Sequence, residues 1–401
     1  MKQVLFGVNG LDALNNGATE YAVLHGSGSW NAAEVDRNEV IATAGTISRL
    51  YVELSAAPGG GAGDAYVFTL RKNGAATALT CTITQPATSG SDVAHSVAVV
   101  AGDTVSMECV PSSTPSATPT AQFTTLFTGT NANESLMLGR GYANYVSGTL
   151  YFGAQGLSAA STDENDARQV CPTAGTIKNL YVSLSADPGT SPDEYSFTLR
   201  KNGADTTLHC HIVANDVTGN DTANTVAVVA GDVLTVSSVP VSTPSVGAIR
   251  VAFGMTFLAS IDGESIILGG LADDLSNADT EYASLVAPLM SETRSTTEAN
   301  HQQLGQICEL RKLYVLLSAA PGAGNDYTFA VLVNGAFPTF GMVVQVAGAA
   351  TTGNDVTNSV YLANNDNVSL QCVPSSTPGA ADAYWGLVCY IPAAWRVMLW
   401  S

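Results

Sequence analysis

His209-Cys210-His211 is where residues with metal chemistry stand at a metal-like spacing in this sequence. On a strand, alternation puts both imidazoles on one face, a spacing some zinc sites use. No third ligand is visible, and a related stretch earlier in the chain carries Thr80 and Thr82 instead, so no metal is assigned. A second set is acidic: Gly90-Ser-Asp92, Gly219-Asn-Asp221 and Gly353-Asn-Asp355. Oxygen-rich turns of this kind can hold calcium. The same residues also serve as Asx-turns that bond their own backbone without an ion. Asp103, Asp232 and Asp366 read as turn residues of the latter kind. Arg71-Lys72 and Arg200-Lys201 are cation pairs of the sort that keep an exposed strand edge from pairing. Leu332 and Val333 take their place in a third stretch, which predicts an edge covered by a partner such as a neighbouring subunit. Five His, with no nucleophile elbow, no Gly-rich phosphate loop after a strand and no paired Cys-x-x-Cys, leave catalysis without parts. The chain is read as a non-enzyme with no cofactor.

These residues are carried by a sequence written three times. Tyr66-Val-Phe-Thr-Leu-Arg-Lys-Asn73-Gly74 returns as Tyr195-Ser-Phe-Thr-Leu-Arg-Lys-Asn202-Gly203 and as Tyr327-Thr-Phe-Ala-Val-Leu-Val-Asn334-Gly335. Leu50-Tyr51-Val52, Leu180-Tyr181-Val182 and Leu313-Tyr314-Val315 repeat in step. So do the stretches Gly102-Asp103 to Val110-Pro111, Gly231-Asp232 to Val239-Pro240, and Asn365-Asp366 to Val373-Pro374. A period of about 130 residues is a whole domain, far beyond the unit of a solenoid. Tyr66, Phe68 and Leu70 alternate with Val67, Thr69 and Arg71, and Asn-Gly suits a type I′ hairpin whose return strand carries Leu79, Cys81 and Ile83. Counting the opening strands near Leu5 and Tyr21, each repeat holds about eight short strands, which predicts an antiparallel β-sandwich of jelly-roll type. An immunoglobulin-like sandwich is the alternative, weakened by the missing Cys…Trp…Cys pattern.

The chain has 401 residues, a net charge of −19, only 12% charged residues and 46% hydrophobic ones. Acidity of this kind disfavours phosphate-backbone binding and docking on anionic lipid. No apolar run reaches the ~18 residues of a membrane span. Met1-Lys2-Gln3-Val4-Leu5-Phe6-Gly7 breaks before a secretory h-region can form, so a reducing cytoplasm is the expected site of synthesis. Seven Cys is an odd count in a chain too large to need staples, so they are read as buried thiols. Cys81 matches Cys210, and Cys109 matches Cys372; within the first repeat Cys81 and Cys109 can in principle face each other.

The seams place three repeats at 1–130, 131–260 and 261–392, followed by a tail at 393–401. Short connectors without Pro-rich or Gly/Ser-rich linkers predict repeats that touch. The tail holds Trp395, Met398, Leu399 and Trp400 where a fourth repeat would place its first strand. It is read either as a closing strand or, through its two Trp, as an anchor to a partner.

The combination Leu-Tyr-Val-x-Leu-Ser-Ala-x-Pro-Gly, Tyr-x-Phe-Thr-Leu-Arg-Lys-Asn-Gly-Ala, Val-Ala-Val-Val-Ala-Gly-Asp and Val-Pro-x-Ser-Thr-Pro resembles the repeated β-domains of tailed-phage virion proteins. It is loosely similar to the tumour-necrosis-factor-like jelly rolls that assemble as trimers. The likeness spans about residues 1 to 392 and, being made of strands and turns, carries over no functional residue. It implies a virion structural protein, made in the host cytoplasm and present in many copies or as a homo-oligomer, with other virion proteins as partners, the major capsid protein first among them. Three joined repeats can reproduce a threefold arrangement as an intramolecular pseudo-trimer. A capsid decoration or cement protein is the first expectation. The rival is a tail-fibre or receptor-binding protein that recognises host glycans through loops such as Ser112-Ser-Thr-Pro115 and Ala57-Pro-Gly-Gly-Gly, with Trp30 and Trp385 as candidate aromatics. A bacterial cell-surface protein would want a secretion signal.

Overall fold

A computed structural model describes residues 2–7, 11–142, 148–247, 249–287 and 294–392. The chain is all-β; among the described residues the helical turns are the short 3₁₀ segments Glu34–Asp36, Glu164–Ala167 and Glu298–Asn300. The first repeat forms β1 (Lys2–Phe6), β2 (Glu20–Ala22), β3 (Glu39–Val40), β4 (Gly45–Leu54), β5 (Ala65–Lys72), β6 (Ala75–Thr84), β7 (Ser89–Val99), β8 (Thr104–Ser112) and β9 (Ala121–Gly129). They make two antiparallel sheets, ordered β1-β9-β4-β7 and β2-β8-β5-β6, with β3 beside β8. The second and third repeats follow the same orders, and each sheet draws its strands from one repeat. Among the described residues the second repeat adds one parallel strand, Gly156–Ala159, beside Glu134–Tyr142.

Period-two alternation decides which face is dry. Tyr66, Phe68 and Leu70 from β5, with Leu79, Cys81 and Ile83 from β6, meet Leu5, Ile47, Phe123 and Phe127 from the facing sheet in one core. Each large apolar side chain so buried stabilises by roughly 1.5–3 kcal/mol. The recurring Tyr has a second role. Tyr66, Tyr195 and Tyr327 bury their rings while their hydroxyls donate to Ala117 O, Ser245 O and Gly379 O, tying the Pro-rich loop to the sandwich.

The hairpin words touch one another. Asn73 and Gly74 turn the chain at φ 50° and 73°, as the type I′ geometry requires. Asn73 Nδ2 donates to Asp103 Oδ1 at 2.7 Å, and Thr104 N donates to Asn73 Oδ1 at 2.8 Å, so the Asn-Gly turn grips the Gly-Asp turn. Asn202 with Asp232 and Asn334 with Asp366 do the same, each at 2.8 Å.

Asp92, Asp221 and Asp355 sit opposite a break in strand register. Between Ser48 and Leu50 the β4–β7 pairing skips from Ser96 to Asp92, and the intervening Arg49 takes φ 55°. Asp92 fills the gap by accepting from the backbone N–H groups of Thr80, Ala94 and His95. Asp355 accepts from those of Val343, Thr357 and Asn358. Burial alone would raise the Asp355 carboxyl; these donors, with the Asn358 amide, outweigh it and hold it at about 2. Its contribution is therefore present above the ordinary value of 3.8 and is lost as pH falls through about 2. Asp355→Ala is expected to cost about 1–3 kcal/mol by stranding buried donors. In urea titrations the variant should also lose less stability than wild type between pH 4 and pH 2; parallel acid profiles would count against the assignment.

All seven thiols are buried and free. Cys81 and Cys109 both pair with Phe68, from strands on either side of β5, so that strand separates them.

Candidate functional site: repeat seams and an open edge

The opening strand of each repeat is buried on both faces. In β1, Leu5 enters its own core while Val4 and Phe6 enter the core of the third repeat. In Glu134–Tyr142, Met137 faces inward while Leu136 and Leu138 join the core of the first repeat. In Glu264–Leu271, Ile267 faces inward while Ile266 and Leu268 join the second. Uninterrupted apolar words such as Val4-Leu5-Phe6 are what a strand walled on both sides demands.

Buried amides register these seams without adding charge. Gln3 exchanges two 2.8 Å hydrogen bonds with the backbone of Leu136. Gln155 accepts from Leu268 N at 2.7 Å and donates to Ile266 O. Gln303 accepts from Val286 N and donates to Gly7 O at 2.9 Å. Backbones also come close. A Cβ on Gly254 would lie 1.9 Å from Val40 O, and one on Gly386 would lie 1.9 Å from Val170 O.

Among the described residues, two seams carry a carboxylate that pairs with cations of its own repeat and takes a hydroxyl from the neighbouring one. Glu134 takes Lys178 at 2.7 Å and the Thr43 hydroxyl. Burial would raise this carboxyl, but those donors and Asn131 together hold it below the usual range. Glu264 takes Arg311 and Lys312, each at 2.7 Å, and the Thr173 hydroxyl.

A buried polar group at the seam of the first two repeats is less well satisfied. Glu39 is fully buried; its Oε2 accepts from Leu24 N at 2.5 Å and His25 N at 3.0 Å, while Oε1 has no hydrogen-bond partner. Burial pushes its carboxyl up to about 8, against those two donors and the nearby Arg140. The equivalent residues are Gln169, whose Nε2 donates to Gln155 O, and Gln303. Arg140 donates to Asn38 O at 2.6 Å and to Val35 O; burial and the neighbouring Arg37 pull it down to about 9.

The cation pairs are not solvated edge devices. Arg71 is largely enclosed, bound to Glu34 at 3.2 Å and Glu108 at 3.3 Å over the Tyr21 ring, and Arg200 binds Glu164 at 2.8 Å. The sequence hid this because Glu34 lies in an irregular turn that no strand pattern marks. In the third repeat Glu298 keeps the Ser369 hydroxyl and takes the Gln302 amide. Leu332 is buried within the single chain and Val333 packs half-buried against the third repeat's core, so the chain itself supplies much of the cover expected from a partner. What this edge leaves open is the turn that follows, where Phe337 is 49% and Phe340 82% exposed. Trp395, Met398, Leu399 and Trp400 lie outside the described residues.

The remaining candidates are structural. His209 and His211 do share one face, with ring centroids 5.3 Å apart, yet His211 pairs with Glu194 and His209 turns to Thr207 O. Among the described residues no group of three or more His, Cys, Asp or Glu is arranged to hold a metal. Trp30 and Trp385 belong to the cores rather than to exposed loops: Trp30 packs on Phe68 and Phe123, and Trp385 Nε1 donates to Leu285 O. In comparisons with known proteins, no family model and no curated protein matches this chain.

Proposed function

We propose that this chain is a structural protein of a tailed-phage virion, acting as a capsid decoration or cement protein. Three jelly-roll repeats joined as an intramolecular pseudo-trimer form its body. The observation that carries this reading is the cyclic order of the seams: the second repeat's opening strand packs on the first, the third's on the second, and the first's on the third. A cycle of that kind closes, as threefold association does, and leaves no opening strand unpartnered. The sheet orders β1-β9-β4-β7 and β2-β8-β5-β6 support the jelly-roll reading. An acidic surface held on a self-sufficient body suits a module that coats a shell, and the third repeat's Phe337 and Phe340 offer it an aromatic contact that the other two lack.

Co-sedimentation with purified empty capsids, read beside antibody labelling of native particles, tests this. Wild type should pellet with shells, and the double change Phe337→Ser and Phe340→Ser should weaken pelleting by about tenfold or more. Label confined to the tail would overturn the decoration role in favour of the fibre reading, and unchanged pelleting would remove the two Phe from the contact.

A further inference from the structure

The third repeat departs from the other two at the turn that follows Asn334-Gly335. Asn73 to Thr80 and Asn202 to His209 are each seven positions apart, and the N–H groups of Thr80 and His209 donate to Asp92 and Asp221. Val343 N donates to Asp355 in the same way, yet it stands nine positions from Asn334. The two extra residues delay the return strand, which starts at Val343 where β6 starts at Ala75. In its place a turn holds Phe337 half in solvent and Phe340 almost wholly so, with Phe340 at φ 66°. A left-handed backbone is costly for a bulky aromatic residue, and such strain gathers at functional sites. Val343 and, next to Asp355, Val356 extend the exposed apolar surface.

The same end of the repeat has lost its cations. Glu34 and Asp103 bind Arg71 and Lys72, and Glu164 and Asp232 bind Arg200 and Lys201. Leu332 and Val333 stand in for those cations, so among the described residues Glu298 and Asp366 have no cationic partner. Both described hydrogen bonds to Glu298 go to Oε1, and its Oε2 lies 3.5 Å from where a Cβ on Gly335 would stand. Asp366 holds the Asn334 amide at 2.8 Å. Two carboxylates thus adjoin the turn that leads to the two Phe.

We propose that this surface docks a protein segment that presents a Lys or Arg beside large apolar side chains. The apolar part covers Phe337 and Phe340, and the cation takes at Glu298 the place that Arg71 and Arg200 fill at Glu34 and Glu164. An aromatic centre with charge at its rim is the make-up of a specific protein contact. A net charge of −19 works against a second copy of the chain as the occupant. This rests on the two Phe being a contact, as above, and holds whether or not the partner is a shell.

Fluorescence anisotropy of labelled synthetic peptides titrated with the full chain at about 0.15 M salt tests it. A peptide alternating Lys with Leu and Phe should bind saturably. Its counterparts with Glu for Lys, or with Ser for Leu and Phe, should bind more weakly by about tenfold or more. The double change Phe337→Ser and Phe340→Ser should weaken binding by about tenfold or more. Val333→Lys, which returns the cation that Lys72 and Lys201 supply, and Glu298→Gln should each weaken it about threefold, with an unchanged melting transition showing that the fold is intact. Asp216→Asn, at an exposed acid of the second repeat, should change nothing. Absence of saturable binding, equal binding of either counterpart peptide, undiminished binding by the Phe pair or by both charge variants, or equal weakening by Asp216→Asn would overturn the proposal. Self-association of the chain that the two Phe changes abolish would give the surface to a second copy and overturn it too. Peptide binding without capsid pelleting would support the surface and fault the decoration role alone.

Discussion

Gly254→Ala is expected to destabilise the protein by about 2–3 kcal/mol, because the atoms nearest the added methyl belong to the neighbouring repeat. Its Cβ would lie 1.9 Å from Val40 O and 2.9 Å from Val40 C, both backbone atoms of the first repeat. A side chain can rotate away from such a contact; a carbonyl anchored in a short paired strand cannot. Relief has to come from moving one repeat against the other, which opens the seam that buries Leu136 and Leu138. Gly386→Ala should behave alike against Val170 O. Scanning calorimetry is the measurement. A lower melting temperature together with a transition that splits into parts is the expected result, since the seams couple the repeats. Gly61→Ala, where a Cβ meets nothing within 4 Å, is the control and should change little. Wild-type melting in Gly254→Ala would mean that the seam is not closely packed.

Glu39→Gln is expected to stabilise the protein on the alkaline side by a few kcal/mol. The folded-state carboxyl is raised from 4.5 to about 8, so its proton is held after the unfolded chain has released it. The sign follows: stability is greatest below 4.5, falls at about 1.4 kcal/mol per pH unit as pH rises, and levels off above 8. Gln removes the titration. It also adds the amide donor that Gln169 and Gln303 use at the same position. Urea unfolding from pH 5 to pH 9 should show a gap between variant and wild type that widens with pH. A constant gap, or a variant weaker at pH 9, would show that Glu39 is ionised against Arg140 in the folded state.

The strands and turns were legible because their signals are local. Alternation in Tyr66-Val-Phe-Thr-Leu places three side chains at zero exposure, and Asn-Gly dictates the turn that follows. The pairing of Asn73 with Asp103 was half legible: both residues repeat in step, but only the fold brings the two turns together. The seams were hidden for a different reason. A residue such as Gly254 or Gln303 has no periodic signature, and its role depends on a neighbour far along the chain. One signal was available. Extending the alignment of the opening strands two residues back sets Lys2 beside Glu134 and Glu264, and a reversed charge at an equivalent position marks a place where the repeats have parted. The stretch at Leu332 and Val333 misled because apolar residues in place of cations can be covered by the chain's own fold as well as by an external partner.

Small-angle X-ray scattering of the purified chain tests the closed cycle of seams most directly. Three repeats packed as one body should give a radius of gyration of about 22 Å, as for a compact chain of this length. Three sandwiches strung in a row would give about 28 Å or more, each contributing about 14 Å of its own. A monomeric sample near the first value supports the cycle, and one at the second contradicts it.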